Sequence, residues 1–172
     1  DKWQRRISNP ELPIDWNGQT QESLLFMGQR MLETYYSSNN PKDHFVAIEH
    51  PFSVSIEHPV AGLPLTMNDQ PLQLVGSIDA LVKVYNGTEQ IILRELKTSS
   101  KMWSQIQADE SLQATLYAYV MKKLGLCASL NTIVTVQFEI LTKAKSPRFE
   151  VISTARTQAQ IDGAIIDLFD AC

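Results

Sequence analysis

The chain contains little cysteine. Cys127 and Cys172 are the only two cysteines among 172 residues, and no CxxC pair occurs. Two cysteines placed this far apart cannot supply a disulfide framework or a zinc site by themselves. We therefore interpret Cys127 as a small buried hydrophobe rather than a nucleophile or a metal ligand.

Long apolar runs and an excess of positive charge are also absent. No segment approaches the roughly 18 apolar residues that a membrane-spanning helix needs, and residues 1–10 lack the apolar core of a signal peptide. We predict a soluble, cytoplasmic protein with no membrane partner. The formal net charge of -4 argues against coating nucleic acid by bulk electrostatics, although it is compatible with a local basic groove.

The composition is that of one globular domain. A chain of 172 residues with 44% hydrophobic and 20% charged residues can bury a proper core. Neither an internal repeat nor a long linker divides it, so we predict a single domain over residues 1–172. Because the sequence begins with Asp1 rather than Met, it is also compatible with a piece of a longer protein.

Apolar periodicity predicts alternating helices and strands. Helical spacing predicts three helices, at residues 19–37, at about 102–123 and around 161–169. In the second helix the predicted apolar stripe is Leu112, Leu116, Val120 and Leu124. Runs of β-branched and aromatic residues predict five strands, at residues 44–60, 72–85, 89–98, 131–142 and 148–154, with a loop at 61–71. The order α-β-β-β-α-β-β-α predicts an α/β fold with a central sheet between helices.

The second and third strands are unusual because they carry charged residues. Asp79, Glu95 and Lys97 lie within the strand runs, where burial is costly unless charges are paired or bind a metal. Symmetric pairing about the Asn86-Gly87 turn brings residue i close to residue 173 minus i, which places Asp79 almost opposite Arg94 and Glu95. A divalent cation between the two carboxylates would remove their repulsion.

The hairpin alone leaves a plainer alternative open. An acidic-x-Lys triplet arises readily by chance in a chain with 19 acidic residues, and a structural ion pair of Asp79 with Arg94 or Lys97 would also explain the charges. The following helix adds a further signal. Gln113 and Tyr117 are four residues apart, so they share one helix face.

Taken in order, the three motifs Gly76-x-x-Asp79, Glu95-x-Lys97 and Gln113-x-x-x-Tyr117 resemble those of the RecB-type nucleases of the PD-(D/E)XK superfamily. The resemblance implies a restriction-endonuclease-like core with a central mixed β-sheet flanked by helices.

The resemblance also implies roles for individual residues. Asp79, Glu95 and the backbone carbonyl of Leu96 would bind Mg²⁺ or Mn²⁺, and Lys97 would orient the attacking water. Gln113 and Tyr117 would support the site or touch the end of the DNA.

The sequence departs from the family pattern in the first helix. Many RecB-type nucleases carry a metal-binding His there, a few residues before a Leu-Glu pair, and the pair Leu32-Glu33 aligns Gln29 with that His. Gln29, Glu33 or water would then take its place, or the metal site would be weakened. Glu49 is a further candidate, because a Glu on the first strand often points towards the site in similar proteins. Its alternative is an ordinary solvated side chain.

Other features bear on cofactors and DNA contact. Some relatives hold an iron-sulfur cluster with four cysteines, a set that this chain lacks, so no cluster is expected from it alone. Candidate DNA contacts are Arg94, Lys101 and Trp103 together with Gln113 and Tyr117. Core packing is the alternative for Trp103. Further candidate phosphate contacts are Lys122, Lys123, Lys143, Lys145 and Arg148.

The resemblance thus implies a metal-dependent deoxyribonuclease, and more narrowly an exonuclease acting on DNA ends in recombination, repair or mobile-element biology. A helicase or recombination protein would be a natural partner. Two alternatives stay open. One is a catalytically inactive nuclease-fold module for DNA binding or scaffolding, and the other is an α/β domain whose hairpin charges are purely structural.

Overall fold

The computed structural model describes residues 18–38, 44–85, 87, 89–127 and 133–171. The helices are α1 (Gln21–Ser38), α2 (Gln105–Asp109), α3 (Leu112–Lys123) and α4 (Gln158–Asp170). The long strands are β1 (His44–Ser55), β4 (Gln73–Tyr85), β5 (Glu89–Ser99), β6 (Val134–Thr142) and β7 (Phe149–Arg156). Asn86 and Cys172 lie outside the described residues.

The five long strands form one mixed sheet in the order β1-β4-β5-β6-β7. Strands β5 and β6 are parallel, and the other neighbouring pairs are antiparallel. A parallel pair needs a long crossover, which α2 and α3 provide here. This arrangement confirms the predicted fold class. Within the described ranges, no helix is both long enough and apolar enough to cross a membrane.

Helices cover both faces of the sheet. Glu95 and Phe138 are paired across β5 and β6, and Phe138 is fully buried in the core that α3 and α4 complete. The next residue of β6, Glu139, points to the opposite face because side chains alternate along a strand. There the Tyr35 hydroxyl of α1 donates to Glu139 Oε2 at 3.1 Å. The sheet therefore separates the α1 side from the α3 side.

The helix predicted over residues 102–123 is wrong as a single element. Ser104 begins α2 with a capping box to Gln107, and α2 ends at Asp109. Ser111 then accepts a hydrogen bond from the backbone N–H of Ala114 and begins α3. A serine side chain that caps free N–H groups favours a new helix start over continuation.

The predicted stripe of α3 is wrong at both ends. Leu112 is 56% exposed and Leu124 is 36% exposed. The buried side instead includes Ala114, Ala118 and Met121. Small alanines let the helix approach the sheet closely, so packing distance rather than the count of large apolar residues decides which face is buried.

The hairpin register differs by one residue from the symmetric prediction. Tyr85 pairs with Glu89 and Ala80 with Arg94, so paired numbers add up to 174 and the turn has three residues. Gly87 in this turn has a φ of +76°, which glycine adopts without strain. Extended by one more pair, this register places Asp79 opposite Glu95 rather than opposite Arg94. A shift of one residue matters because it exchanges the two faces of a strand.

Two smaller predictions also need correction. The strand predicted over residues 44–60 ends at Ser55. The loop predicted at 61–71 contains a short hairpin, formed by β2 (Thr66–Met67) and β3 (Gln70–Pro71). The tightest bend before this hairpin is closed by a hydrogen bond from the N–H of Gly62 to the carbonyl of His58 at 2.8 Å.

A buried arginine fixes the junction between α2 and α3. Arg156, at the end of β7, is 2% exposed. Its Nη2 donates to the backbone carbonyls of Ala108, Asp109 and Ser111 at 3.2, 2.8 and 3.1 Å, and its Nε donates to Thr115 Oγ1 at 2.8 Å. One guanidinium thus satisfies the carbonyls that the break between the helices leaves free. It ties the start of α3 to the sheet.

Replacing Arg156 with Met should lower the free energy of unfolding by about 2–4 kcal/mol, because one buried and two partly buried carbonyls lose their donor. Urea unfolding followed by circular dichroism measures the change. Arg148→Met is the matched control, since Arg148 is exposed and pairs with Glu150 on the surface. It should change stability by less than about 1 kcal/mol. Equal effects of the two substitutions would contradict this role of Arg156.

Candidate active site

The centre of the site is the buried carboxylate of Glu95. The residue is 5% exposed. Its Oε1 accepts hydrogen bonds from Lys97 Nζ at 2.6 Å and from Gln113 Nε2 at 2.8 Å. Its Oε2 is buried and has no hydrogen-bond partner among the described residues. An unsatisfied carboxylate oxygen is costly to bury, so this atom marks a position that a bound cation would satisfy.

Asp79 supplies the second carboxylate. Its Oδ2 accepts a hydrogen bond from the backbone N–H of Leu96 at 2.9 Å. The backbone pairing of β4 with β5 ends at Ala80 and Arg94. The Asp79 side chain therefore binds a backbone N–H of β5 that lies beyond the last paired residues. In a strand the N–H and C=O of one residue point to the same side. The Leu96 carbonyl therefore also faces β4, in keeping with its predicted role as an oxygen ligand.

The strands are irregular where Asp79 lies. Ile78 and Leu81 both belong to the core although they are three residues apart, so the alternation of β4 is interrupted between them. In β1, Glu49 has a φ of +50°. The residues on either side of Glu49 pair with the residues on either side of Asp79, but Glu49 and Asp79 do not pair with each other. Left-handed backbone at a non-glycine residue is strained, and such irregularities re-aim side chains beside functional sites. The exposed Glu49 is thus a neighbour of Asp79 along the sheet.

Gln113 and Tyr117 join the site through a chain of hydrogen bonds. Gln113 Nε2 also donates to the Tyr117 hydroxyl at 3.0 Å, and that hydroxyl donates to the Ser77 carbonyl at 3.2 Å. Burial raises the pKa of Tyr117 to about 12, and the negative charges of Glu95 and Asp79 act in the same direction. The phenol therefore stays neutral, and it orients Gln113 instead of acting as a base.

Gly76 makes room for the ring behind Tyr117. The rings of Phe52 and Tyr117 meet edge to face with centroids 6.2 Å apart. A Cβ atom on Gly76 would lie 2.8 Å from Phe52 Cζ, closer than two carbons can approach. The glycine of the Gly76-x-x-Asp79 motif is thus a packing requirement of the wall that supports Tyr117.

Two residues predicted to contact DNA are partly buried. Arg94 is on the α1 side of the sheet, where its Nη1 lies 3.4 Å from Glu139 Oε1 and its Nε donates to Gln137 Oε1 at 3.0 Å. Trp103 packs against Phe138 with ring centroids 5.1 Å apart. Arg94 therefore lies on the face of the sheet opposite to Glu95, whereas Trp103 packs against Phe138 on the same face as Glu95. Contact of either residue with DNA stays a prediction. Lys101, by contrast, is exposed just beyond β5.

The first helix contributes little to the site. Gln29 and Glu33 are both exposed on α1, and in the part of the chain that the structure describes no hydrogen bond joins either to Asp79 or Glu95. Among the same residues, no group of three or more His, Cys, Asp and Glu side chains could hold a metal ion. Substitution of the missing His by Gln29 or Glu33 stays a prediction.

Comparison with known families gives one broad match. The model of the PD-(D/E)XK nuclease superfamily matches residues 1–168. The match takes in all five strands of the sheet and every residue of the Glu95 site. No curated protein matches significantly.

Divalent metal should stabilise the protein through the two carboxylates. At ten times its dissociation constant, an ion that binds only the folded state adds about 1.4 kcal/mol. This corresponds to a rise of roughly 3–6 °C in Tm for a domain of this size. Differential scanning fluorimetry with Mg²⁺, Mn²⁺ or EDTA measures the rise, which Glu95→Gln and Asp79→Asn should abolish.

Glu139→Gln is the matched control for this experiment. Glu139 is as buried as Glu95, but it lies on the α1 side of the sheet. The variant should retain the full rise in Tm with metal, whatever its own stability. A rise that survives both Glu95→Gln and Asp79→Asn would contradict metal binding at this site.

Tyr117 should make stability depend on pH above about 10. The unfolded phenol ionises near 10 whereas the folded one ionises near 12, so the folded state holds the extra proton between these values. The contribution of Tyr117 to the free energy of unfolding is complete below pH 10. It falls as pH rises from 10 to 12, by up to about 1.4 kcal/mol per pH unit. Urea unfolding at pH 8 and 11 should therefore show the advantage of the wild type over Tyr117→Phe shrinking. The exposed Tyr85→Phe controls for general alkaline instability, and a constant advantage would oppose this assignment.

Proposed function

The chain belongs to the PD-(D/E)XK nuclease superfamily, and from that premise we propose that it is a metal-dependent deoxyribonuclease. The observation that carries the proposal is the unpartnered Oε2 of Glu95, buried in the same carboxylate whose other oxygen holds the ammonium of Lys97. A purely structural ion pair would leave no reason to bury this oxygen without a donor.

The groups present fit magnesium or manganese. Asp79, Glu95 and the Leu96 carbonyl would hold the ion, an oxygen-only set that these hard cations prefer, with water in the remaining positions. When bound, the ion would supply Lewis-acid stabilisation of charge on the scissile phosphate.

Lys97 is the residue best suited to act on the attacking water. Hydrolysis forms a bond between the water oxygen and phosphorus and breaks the bond from phosphorus to the departing nucleotide oxygen, while the water loses a proton to solvent. The Lys97 ammonium, held at 2.6 Å by Glu95 Oε1, would donate a hydrogen bond to the water or to a phosphate oxygen. Its positive charge would then stabilise the negative charge that builds up on the phosphate.

Gln113 and Tyr117 would act as positioning residues. Gln113 shares Glu95 Oε1 with Lys97, so it restrains the carboxylate that holds the lysine. Tyr117 in turn fixes Gln113 and is anchored on the Ser77 carbonyl. A carboxylate held from two sides keeps its second oxygen aimed at one place, which metal binding requires.

The narrower proposal is exonuclease action on DNA ends, in recombination, repair or mobile-element biology, with a helicase or recombination protein as a possible partner class. It rests on the resemblance of the three ordered motifs to RecB-type nucleases. The competing proposal is an inactive module that binds DNA. In its favour, only two carboxylates meet in the described part of the site, and Gln29 stands where a metal-binding His is common.

Degradation of end-labelled linear DNA and closed circular DNA tests the proposal, with Mg²⁺, Mn²⁺ or EDTA. We expect metal-dependent loss of the linear DNA and persistence of the circle. Lys97→Ala should lower the rate by about 10²–10³-fold, the usual loss for one transition-state donor.

Lys83→Ala is the matched control, because Lys83 pairs with Glu89 on the surface of the same hairpin. It should leave the rate unchanged. Equal loss of linear and circular DNA would replace the exonuclease with an endonuclease. A wild type inert with both metals on both substrates would favour the inactive module.

A further inference from the structure

Four exposed cations share a feature that sets them apart. Arg30, Lys101, Lys143 and Lys145 have no carboxylate partner among the described residues. Lys83 and Arg148, by contrast, pair with the carboxylates of Glu89 and Glu150 on the surface. Unpaired cations on a chain with a net charge of -4 form a local positive surface that the total charge conceals.

Three of these cations line one groove. A cavity of about 730 Å³ lies between the N-terminal half of α1 and the loop that joins β6 to β7. Its lining includes Arg30, Lys143 and Lys145 and the apolar Phe26 and Met27, and among the described residues it contains no Asp or Glu. We name this cavity the α1 groove. A concave surface with cations and no acids fits an anionic ligand.

The α1 groove lies at the end of the sheet that carries Lys97. The backbone N–H of Lys143 donates to the Ser99 carbonyl at 2.7 Å, and Ser99 is the last residue of β5. Lys97 is two residues earlier in the same strand, which is roughly 7 Å at strand spacing. Lys101 lies two residues after Ser99, and the backbone N–H of Lys101 donates to Ser99 Oγ at 3.4 Å. The α1 groove thus adjoins the carboxyl end of β5, the strand that carries Lys97.

The apolar part of the lining indicates what kind of nucleic acid fits. Phe26 is 60% exposed, and the Arg30 guanidinium lies 6.0 Å from the centroid of its ring. A duplex hides the faces of its bases, so it would use only the cations. A single strand offers both phosphates and open base faces, which stack on aromatic rings and arginine.

We propose that the α1 groove binds single-stranded DNA, with Arg30, Lys143 and Lys145 on the phosphates and Phe26 against a base. Lys101 extends the path towards Lys97. The role of the α1 groove as the path of the strand into or out of the active site rests on the proposed nuclease function. Binding itself does not.

Fluorescence anisotropy in EDTA separates binding from cleavage. The probes are a 5′-labelled 20-nucleotide oligothymidine and a blunt duplex of the same length. Lys143→Ala combined with Lys145→Ala should weaken binding of the single strand about tenfold. It should also make the slope of log K against log salt shallower by about 1.4, which is two contacts at about 0.7 each.

Two further variants sharpen the test. Phe26→Ala should weaken binding of the single strand without changing the salt slope, because stacking releases no counterions. Lys83→Ala removes a surface cation of the same type that is paired with Glu89. This control should bind as the wild type does.

The outcomes separate the α1 groove from the nuclease. Three results would each overturn DNA binding by the α1 groove. They are wild-type affinity in the Lys143 and Lys145 double variant, equal weakening in the control, and no binding of single strands at all. So would tighter binding of the duplex together with a harmless Phe26→Ala. Weakened binding in the double variant beside a wild type that cleaves nothing would support the groove and refute the nuclease. If the wild type cleaves DNA and the double variant binds DNA normally, the nuclease is supported and the α1 groove is refuted.

Discussion

A buried carboxylate with one unsatisfied oxygen is the constraint on which the rest of this structure depends. Glu95 lies within the sheet at 5% exposure, where an uncompensated negative charge would destabilise the fold. Lys97 and Gln113 compensate one oxygen, and within the described part of the chain the other has no donor. The fold therefore tolerates the charge but does not neutralise it fully. A site in this condition gains stability from a cation, so the same feature that weakens the protein alone prepares it to bind metal.

Holding Glu95 in place requires elements that are distant in the sequence. Gln113 reaches it only because α3 begins where it does, and Arg156 of β7 fixes that start by binding the carbonyls between α2 and α3. Tyr117 is braced by Phe52 of β1, which in turn needs the bare backbone of Gly76. The precision of a two-carboxylate site thus comes from a shell of residues that do no chemistry.

The sequence predicted most of the fold, and its failures have physical reasons. Asp79, Glu95 and Lys97 were identifiable as candidates because they are charged residues within strand runs, and the resemblance of the ordered motifs to those of RecB-type nucleases added Gln113 and Tyr117. The hairpin register was missed by one residue because a three-residue turn cannot be distinguished from a two-residue turn by an Asn-Gly pair alone. Ser111 was not recognised as a helix start, since a polar residue within a helical pattern is also compatible with continuation. The pairing of Arg94 with Glu139 on the α1 side of the sheet was not predicted, because residue type says nothing about which face of the sheet a side chain occupies.

The distribution of charge connects the two carboxylates to the unpaired cations. Asp79 and Glu95 together repel a phosphate, so an anionic strand can approach them only when positive charge offsets this repulsion. Lys97 supplies part of it, but its ammonium is already shared with Glu95. Arg30, Lys143 and Lys145 lie on elements more than 100 residues apart in the sequence, and only the folded sheet brings them together beside Ser99. If the proposed DNA strand reaches both the groove and the carboxylates, a cation at Glu95 would strengthen DNA binding, and bound phosphate would strengthen cation binding. Thermodynamic linkage makes these two effects equal in size.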